Sequence, residues 1–305
     1  MDEVKLAQVV QEEVSRLAGA LPGVDELRAA ASERGLDFAT MLLYRAVHAA
    51  PEHKDFIESL EAEPVIADRP KADTKIIIIP ALFHGHYPEA GADAALAAQI
   101  ARNCGFDVER LPVRSVGTVT ENAAIINDCL EKETHENLWV FSVSKGSADF
   151  RVFLRNFPAA AAIRRIRGWI NVCGLANGCP IADHNIATPW RALKYRAVCR
   201  MFDVSFELMR ELSTGHRYWR EPAEVPTHIR KLSFMAIPLP SHVQKSVMGR
   251  YDALSRLGPN DGMILCRQSI LDGGAVYPVW GCDHFFRGPQ IPPILYKLFG
   301  WLRRL

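Results

Sequence analysis

A chain of 305 residues, 49% hydrophobic and 23% charged, can bury a sizeable core without staples, as one large α/β domain with an insertion or as two ordinary domains. The formal net charge of +1, with no basic run interleaved with aromatics, leaves no global field to gather nucleic acid or an anionic membrane. The seven cysteines are odd in number and scattered without a C-x-x-C pair, which excludes a zinc ribbon or a disulfide framework and suits reduced, packed thiols.

No stretch approaches 18 uninterrupted apolar residues, so no membrane span is expected. Met1-Asp2-Glu3-Val4-Lys5 is acidic and polar where a signal peptide would be basic and then apolar, and a cytoplasmic protein is expected.

Residues 1 to about 60 read as helices. Val4, Val9, Val10, Val14 and Leu17 recur at near-helical spacing, and Phe38, Met41, Leu42, Tyr44, Val47 and His48 mark another amphipathic helix. Residues 61–74 are polar with two prolines and read as a linker. The expected organisation is an N-terminal helical extension over 1–65 and an α/β domain over 75–305, with 180–230 inserted in it as a helical cap.

The pattern changes at Lys75-Ile-Ile-Ile-Ile-Pro80, a continuous β-branched run suited to a strand buried on both faces of a parallel sheet. Residues 90–104 predict a helix that Gly105 ends, 107–113 a strand and 120–132 a helix. Residues 138–143 read as a strand, 145–155 as a helix and 167–173 as a strand. Such alternation implies βαβ units and a mostly parallel, doubly wound sheet. The alternation stops over 180–230, which is rich in aromatics and charges and mainly helical. Strands resume at 231–237 and 275–280, and 294–305 closes the chain as a helix.

The chemistry concentrates at Phe141-Ser-Val-Ser144-Lys-Gly146. A serine between a strand end and a helix start stands at the carboxyl end of the sheet, where open α/β folds bind ligands. Positions two before and two after it must be small, because strand and helix backbones crowd there, and Ser142 and Gly146 comply. On the motif alone, Ser144 could equally be an ordinary helix cap. Two further segments bear on it. Gly281-Cys-Asp-His284-Phe follows the last strand, where a general base belongs. Gly258-Pro-Asn-Asp261-Gly follows an inner strand, where a carboxylate can orient an imidazole; an ordinary turn aspartate is the plainer reading.

These segments, in the order Ser, Asp, His, resemble those of the α/β-hydrolase superfamily and its lipase and esterase-like branches, over about three quarters of the chain. The resemblance implies an α/β-hydrolase fold and a serine hydrolase with Ser144 as nucleophile, His284 as base and Asp261 as acid. It implies oxyanion donors at the Lys145 backbone N–H and in the loop after strand 75–80, where Leu82 and then Phe83 are the candidates. Two departures stand out. Ser142 replaces the first glycine of the elbow, and the first core strand runs into Pro80-Ala-Leu-Phe-His84-Gly85 rather than directly into His-Gly.

Rival assignments have plainer explanations. Asp272, before two glycines, is a second candidate acid. Asp283 adjoins His284 but points away on an extended segment. His84 and His86 have H-x-H spacing without a third ligand, so no metal site is expected, and no cofactor. Cys282 has no base placed for it. In the cap, Trp190, Phe202 and Phe206 are candidate substrate-binding residues for a hydrophobic acyl group, or else pack the cap onto the core. The N-terminal helices are open as lid, oligomerisation arm or packed appendage. The basic C-terminal helix suits the core better than a membrane surface. The expected activity is hydrolysis of a carboxylic ester or thioester of a small or lipid-like acyl substrate, with acyl transfer or cyclisation through the same acyl-enzyme as the alternative.

Overall fold

The computed structural model describes residues 3–87, 91–220 and 224–305. Met1 and Asp2, the expected helix start at Ala90, and residues 221–223 of the expected cap lie outside the described residues.

Helices α1 (Glu3–Arg16), α2 (Val24–Arg34), α3 (Leu36–Ala49) and α4 (Pro51–Glu61) come first. Then β1 (Lys75–Ile79), α5 (Ala95–Asn103), β2 (Asp107–Arg110), α6 (Val119–Lys132), β3 (Leu138–Val143), α7 (Lys145–Asn156) and β4 (Ile166–Val172) alternate. Helices α8 (Pro180–Ile186), α9 (Pro189–Met201), α10 (Phe206–Leu212) and α11 (Arg217–Arg220) separate β4 from β5 (Arg230–Ile237). The chain ends with α12 (Lys245–Ser255), β6 (Ala275–Trp280) and α13 (Ile291–Leu302).

The strands form one six-stranded sheet in the order β2-β1-β3-β4-β5-β6, every neighbouring pair parallel. Side chains alternate across it, as strand geometry requires. Ile77, Ile79, Val140 and Trp169 pack with α6 and α7 on one face, and Ile76, Ile78, Phe141, Ile170 and Phe234 with α5 and α13 on the other. Both faces are covered, which is why Ile76–Ile79 needs no polar residue. Burying each such side chain stabilises by roughly 1.5–3 kcal/mol.

Toward β6, Met235, Ile237 and Val276 pack against Leu27, Leu43, Val47 and Ile57 of the N-terminal helices. The Trp280 indole donates to Glu3 at 2.9 Å, tying α1 to the end of β6. Pro278 is tolerated because β6 is an edge strand.

Several boundaries differ from the sequence reading. Residues 1–60 hold four described helices where two patterns were read, because Gly35 (φ 94°) and the Ala50-Pro51 step break the chain. Strand 107–113 shortens to β2, an edge with charged ends, while Leu111 and Val113 stay buried in irregular chain. The closing helix starts earlier, at Ile291, and buries Leu295, Leu298, Phe299 and Leu302 in the core. Among the described residues no helix is long and apolar enough to cross a membrane.

β1 lies between β2 and β3, so the chain leaves β1 toward one side and returns on the other. The carboxyl ends of β1 and β3 flank the crevice this reversal creates, the usual ligand position in such sheets.

Candidate active site

Ser144 stands in that crevice, between β3 and α7. Its φ of 50° and ψ of −118° lie outside the ordinary regions for an L-residue, a strain of order 1–3 kcal/mol. The surrounding backbone holds it there: Ser144 N–H donates to Val172 O at 3.0 Å, and Leu175 N–H donates to Ser144 O at 3.0 Å. The turn demands glycine two residues on. A Cβ on Gly146 would lie 2.4 Å from Ile79 O and 2.7 Å from Pro80 O. That close approach runs the loop after β1 alongside the first turn of α7.

At the other flank of the elbow, Ser142 is fully buried and functions differently from a glycine. Its hydroxyl accepts the Trp169 indole N–H at 2.7 Å and lies 2.7 Å from Ser147 Oγ.

His284 Nε2 lies 2.8 Å from Ser144 Oγ, and its Nδ1 lies 2.8 Å from Asp261 Oδ2. The His284 backbone N–H also donates to Asp261 O at 2.9 Å, so two bonds fix one residue against the other. Asp261 is held by its own turn: Oδ1 accepts the N–H groups of Met263 and Ile264, each at 2.9 Å. Gly262, at φ 97°, is required, since a Cβ there would meet Val247 Cγ1 at 2.1 Å. Ser144 and His284 are each 7% exposed and Asp261 is 1% exposed, so the row of three is shielded from bulk water.

The rival groups lie elsewhere. Asp272 is exposed, and its backbone carbonyl accepts from Lys231. The Asp283 carboxylate accepts the N–H groups of Gln244 at 2.9 Å and Phe285 at 3.1 Å. Burial pushes the Cys282 thiol up to about 12, against nucleophilic use. His84 Nδ1 bonds Ala81 O at 2.9 Å, and His86 Nδ1 lies 3.2 Å from Ser115 Oγ. Burial holds the His84 imidazole below its ordinary range. Among the described residues no group of three or more His, Cys, Asp or Glu could hold a metal ion.

In the loop after β1, Phe83 N–H donates to Ser115 O at 3.0 Å and is spent on tying this loop to the one after β2. This counts against Phe83 as an oxyanion donor and leaves Leu82 as the loop's candidate, beside Lys145 N–H at the start of α7.

Two buried polar clusters were not foreseen. Lys145, 1% exposed, places its ammonium 2.7 and 2.9 Å from the two oxygens of Asp149, which also accepts from Asn122 at 2.8 Å. Burial pushes the Asp149 carboxyl up to about 6 against the pull of Lys145. Further out, the Glu211 carboxylate of α10 accepts Val119 N–H at 2.5 Å and the Thr120 hydroxyl at 2.5 Å. A carboxylate at the N-terminus of α6 satisfies orphan donors and the helix dipole together, and so clamps α10 to the core.

The three cap aromatics are set apart. Phe206 lines a cleft of about 780 Å³ with Ser115, Val116, Cys199 and Val204, beside the 83–86 turn. Trp190 is 74% and Phe202 43% exposed. Helix α9 turns Tyr195 and Cys199 inward, which sends Trp190 outward; Trp190 and Phe202 are therefore not placed as pocket walls.

No protein-family model matches the chain, and no curated protein matches it in sequence. Solved structures do match. The metagenomic carboxyl esterase MGS0156 is similar with a TM-score of 0.61 and 20% identity, over 80% of this chain and 78% of that one. The Bacillus licheniformis lipase BlEst2 is similar in its mature form with a TM-score of 0.52 and 16% identity, over 73% of this chain and 89% of that one. At such identities the likeness is one of architecture: the chain has the α/β-hydrolase fold.

Proposed function

We propose that this protein is a serine hydrolase cleaving a carboxylic ester or thioester of a hydrophobic acyl group. The observation that carries the reading is the unbroken row Ser144 Oγ, His284, Asp261, with 2.8 Å at each junction, at the carboxyl end of the sheet.

In this reading His284 Nε2 takes the Ser144 proton as Oγ attacks the acyl carbonyl, and returns it to the leaving oxygen or sulfur. Asp261 Oδ2 accepts the Nδ1–H, which fixes the tautomer that leaves Nε2 free to accept. The tetrahedral oxyanion receives the N–H groups of Lys145 and Leu82, each worth about 3 kcal/mol in the transition state. Water, activated by the same His284, then releases the acid. The cleft of about 780 Å³ beside the 83–86 turn is not lined by Ser144 or His284 and carries Arg114, Glu121, Arg200 and Asp203, but Phe206, Val204 and Val116 offer an apolar wall, and this reading assigns the acyl chain to that wall.

The test is covalent. A fluorophosphonate probe should label the wild-type chain at Ser144, and Ser144→Ala should abolish labelling and lower p-nitrophenyl ester turnover by about a thousandfold or more. Undiminished labelling or turnover in Ser144→Ala would remove the nucleophile from this reading.

A further inference from the structure

Helix α9 carries Arg191, Lys194, Arg196 and Arg200 and no carboxylate, in a chain whose net charge is only +1. Asp203, just beyond the helix, is the next acidic residue along the chain. The inward face of α9 holds Tyr195 and Cys199, packed with the core. The outward face is apolar as well. Trp190 is 74%, Leu193 60% and Met201 72% exposed, and with Ala197 they follow spacings of three, four and four residues. That is one continuous stripe on an α-helix. Phe202, 43% exposed, extends it past the helix end. Lys194 borders the stripe directly and Arg191, which also reaches His184 at 3.5 Å, lies further round on the same side, while Arg200 and Arg196 lie on the other side, towards the cleft, with Arg196 over the Phe206 ring.

Single exposed apolar residues are ordinary, but a stripe of large ones bordered by cations on one helix is not. The geometry is that of a helix lying in a membrane–water interface: a tryptophan and long aliphatic side chains enter the acyl boundary, and the flanking cations meet acidic headgroups. The absence of acidic side chains from α9 favours an anionic lipid surface over a protein partner of mixed charge. We infer that α9 docks this protein on an anionic lipid surface.

The helices that α9 packs against, α8 and α10, are themselves tied down. Glu211 clamps the neighbouring α10 to α6, and Asp183 of α8 accepts the Ser213 hydroxyl at 2.5 Å and the Thr214 hydroxyl at 2.6 Å. The inner flank of α9, through Arg196 and Arg200, borders the same cleft as Ser115, whose carbonyl and hydroxyl hold the 83–86 turn. Docking through α9 would therefore bring this cleft, and with it the 83–86 turn, to the lipid surface.

The experiment is co-sedimentation of the full chain with vesicles of phosphatidylcholine, alone or with about 30% phosphatidylserine, at low and at high salt. Partitioning should be at least tenfold stronger onto the anionic vesicles and fall with salt. Trp190→Ala/Leu193→Ala and, separately, Lys194→Gln/Arg200→Gln should each lose about tenfold or more. These side chains are exposed, so thermal melting should stay unchanged. Ser144→Ala should bind as wild type does, which separates this result from the fate of the hydrolase reading. Three results would overturn the inference: equal partitioning onto both vesicle types, binding that survives both double variants, or a dimer that dissolves in the Trp190→Ala/Leu193→Ala variant while anionic vesicles bind neither form.

Discussion

The Ser142 hydroxyl accepts the Trp169 indole N–H at 2.7 Å, directly behind the turn that holds Ser144. A glycine is the usual occupant of such a position, yet here the serine oxygen is the partner of a fully buried indole. Ser142→Gly should therefore destabilise the protein even though it restores the familiar motif. An orphaned buried donor costs about 1–3 kcal/mol, and thermal denaturation should shift down by roughly 2–4 °C for each of them. Turnover per folded molecule should change little. An unchanged or raised melting temperature would show that Trp169 finds another acceptor.

Asp261→Asn tests the orienting role of the carboxylate. Met263 and Ile264 N–H need an acceptor at Oδ1, so the amide oxygen takes that place and the NH₂ faces His284 Nδ1. Two donors then oppose each other unless the imidazole adopts the tautomer that cannot accept the Ser144 proton. The expected loss in kcat is about 10³–10⁴-fold with the fold retained. Asp272→Asn should stay within about twofold of wild type, and a large loss there with Asp261→Asn active would exchange the two assignments.

The Lys145–Asp149 pair is sealed beneath the proposed oxyanion donor. Lys145→Met leaves Asp149 buried without its cation and should destabilise by about 3–5 kcal/mol, whereas Lys145→Met/Asp149→Leu should recover much of that loss. Urea denaturation of the two variants measures the difference. Equal stability of the single and double variants would mean that solvent reaches Asp149.

Acid sensitivity has one clear source at the amino end of the sheet. Burial works to raise the Glu133 carboxyl, but the Lys75 ammonium and the N–H groups of His135 and Thr134 hold it down to about 2. A carboxyl lowered on folding contributes stability that is present above its unfolded value, near 4.5, and is lost as pH falls toward 2. Solvent screening limits this to about 1 kcal/mol. Glu133→Gln should flatten the decline of melting temperature over that pH interval. An unaltered slope would place the acid sensitivity elsewhere.

What the sequence made legible was local. The runs Ile76–Ile79 and Leu138–Val143 show two covered faces in their composition, and glycines mark the turns at Gly146 and Gly262. What it hid depends on distant packing. Ser142 finds Trp169 only across neighbouring strands. Lys145 and Asp149, four residues apart on α7, have the spacing of a surface ion pair, and only the covering of α7 by α6 and the cap buries them. Two covering layers also explain why residues 1–60 resisted division: Gly35 and Pro51 are weak breaks until helices pack on either side. On α9 both faces are apolar, so periodicity could not say whether Trp190 or Tyr195 turns inward.

The contrast between Phe206 and Phe202 gives the last test. Phe206 is half-buried at the cleft, with the Arg196 guanidinium 4.7 Å above its ring, while Phe202 ends α9 at the surface. If the cleft takes the acyl chain, each buried methylene adds about 0.8 kcal/mol, so kcat/KM should rise at least tenfold from acetyl to octanoyl p-nitrophenyl esters measured below their aggregation limit. Phe206→Ala should flatten that rise and leave acetyl turnover nearly unchanged, because in the proposed mechanism the reacting atoms are fixed by Ser144 and His284 rather than by the cleft wall. Phe202→Ala should leave the slope intact, since its ring lies outside the cleft. A slope flattened by Phe202→Ala and untouched by Phe206→Ala would move the acyl site to the outer surface of the cap.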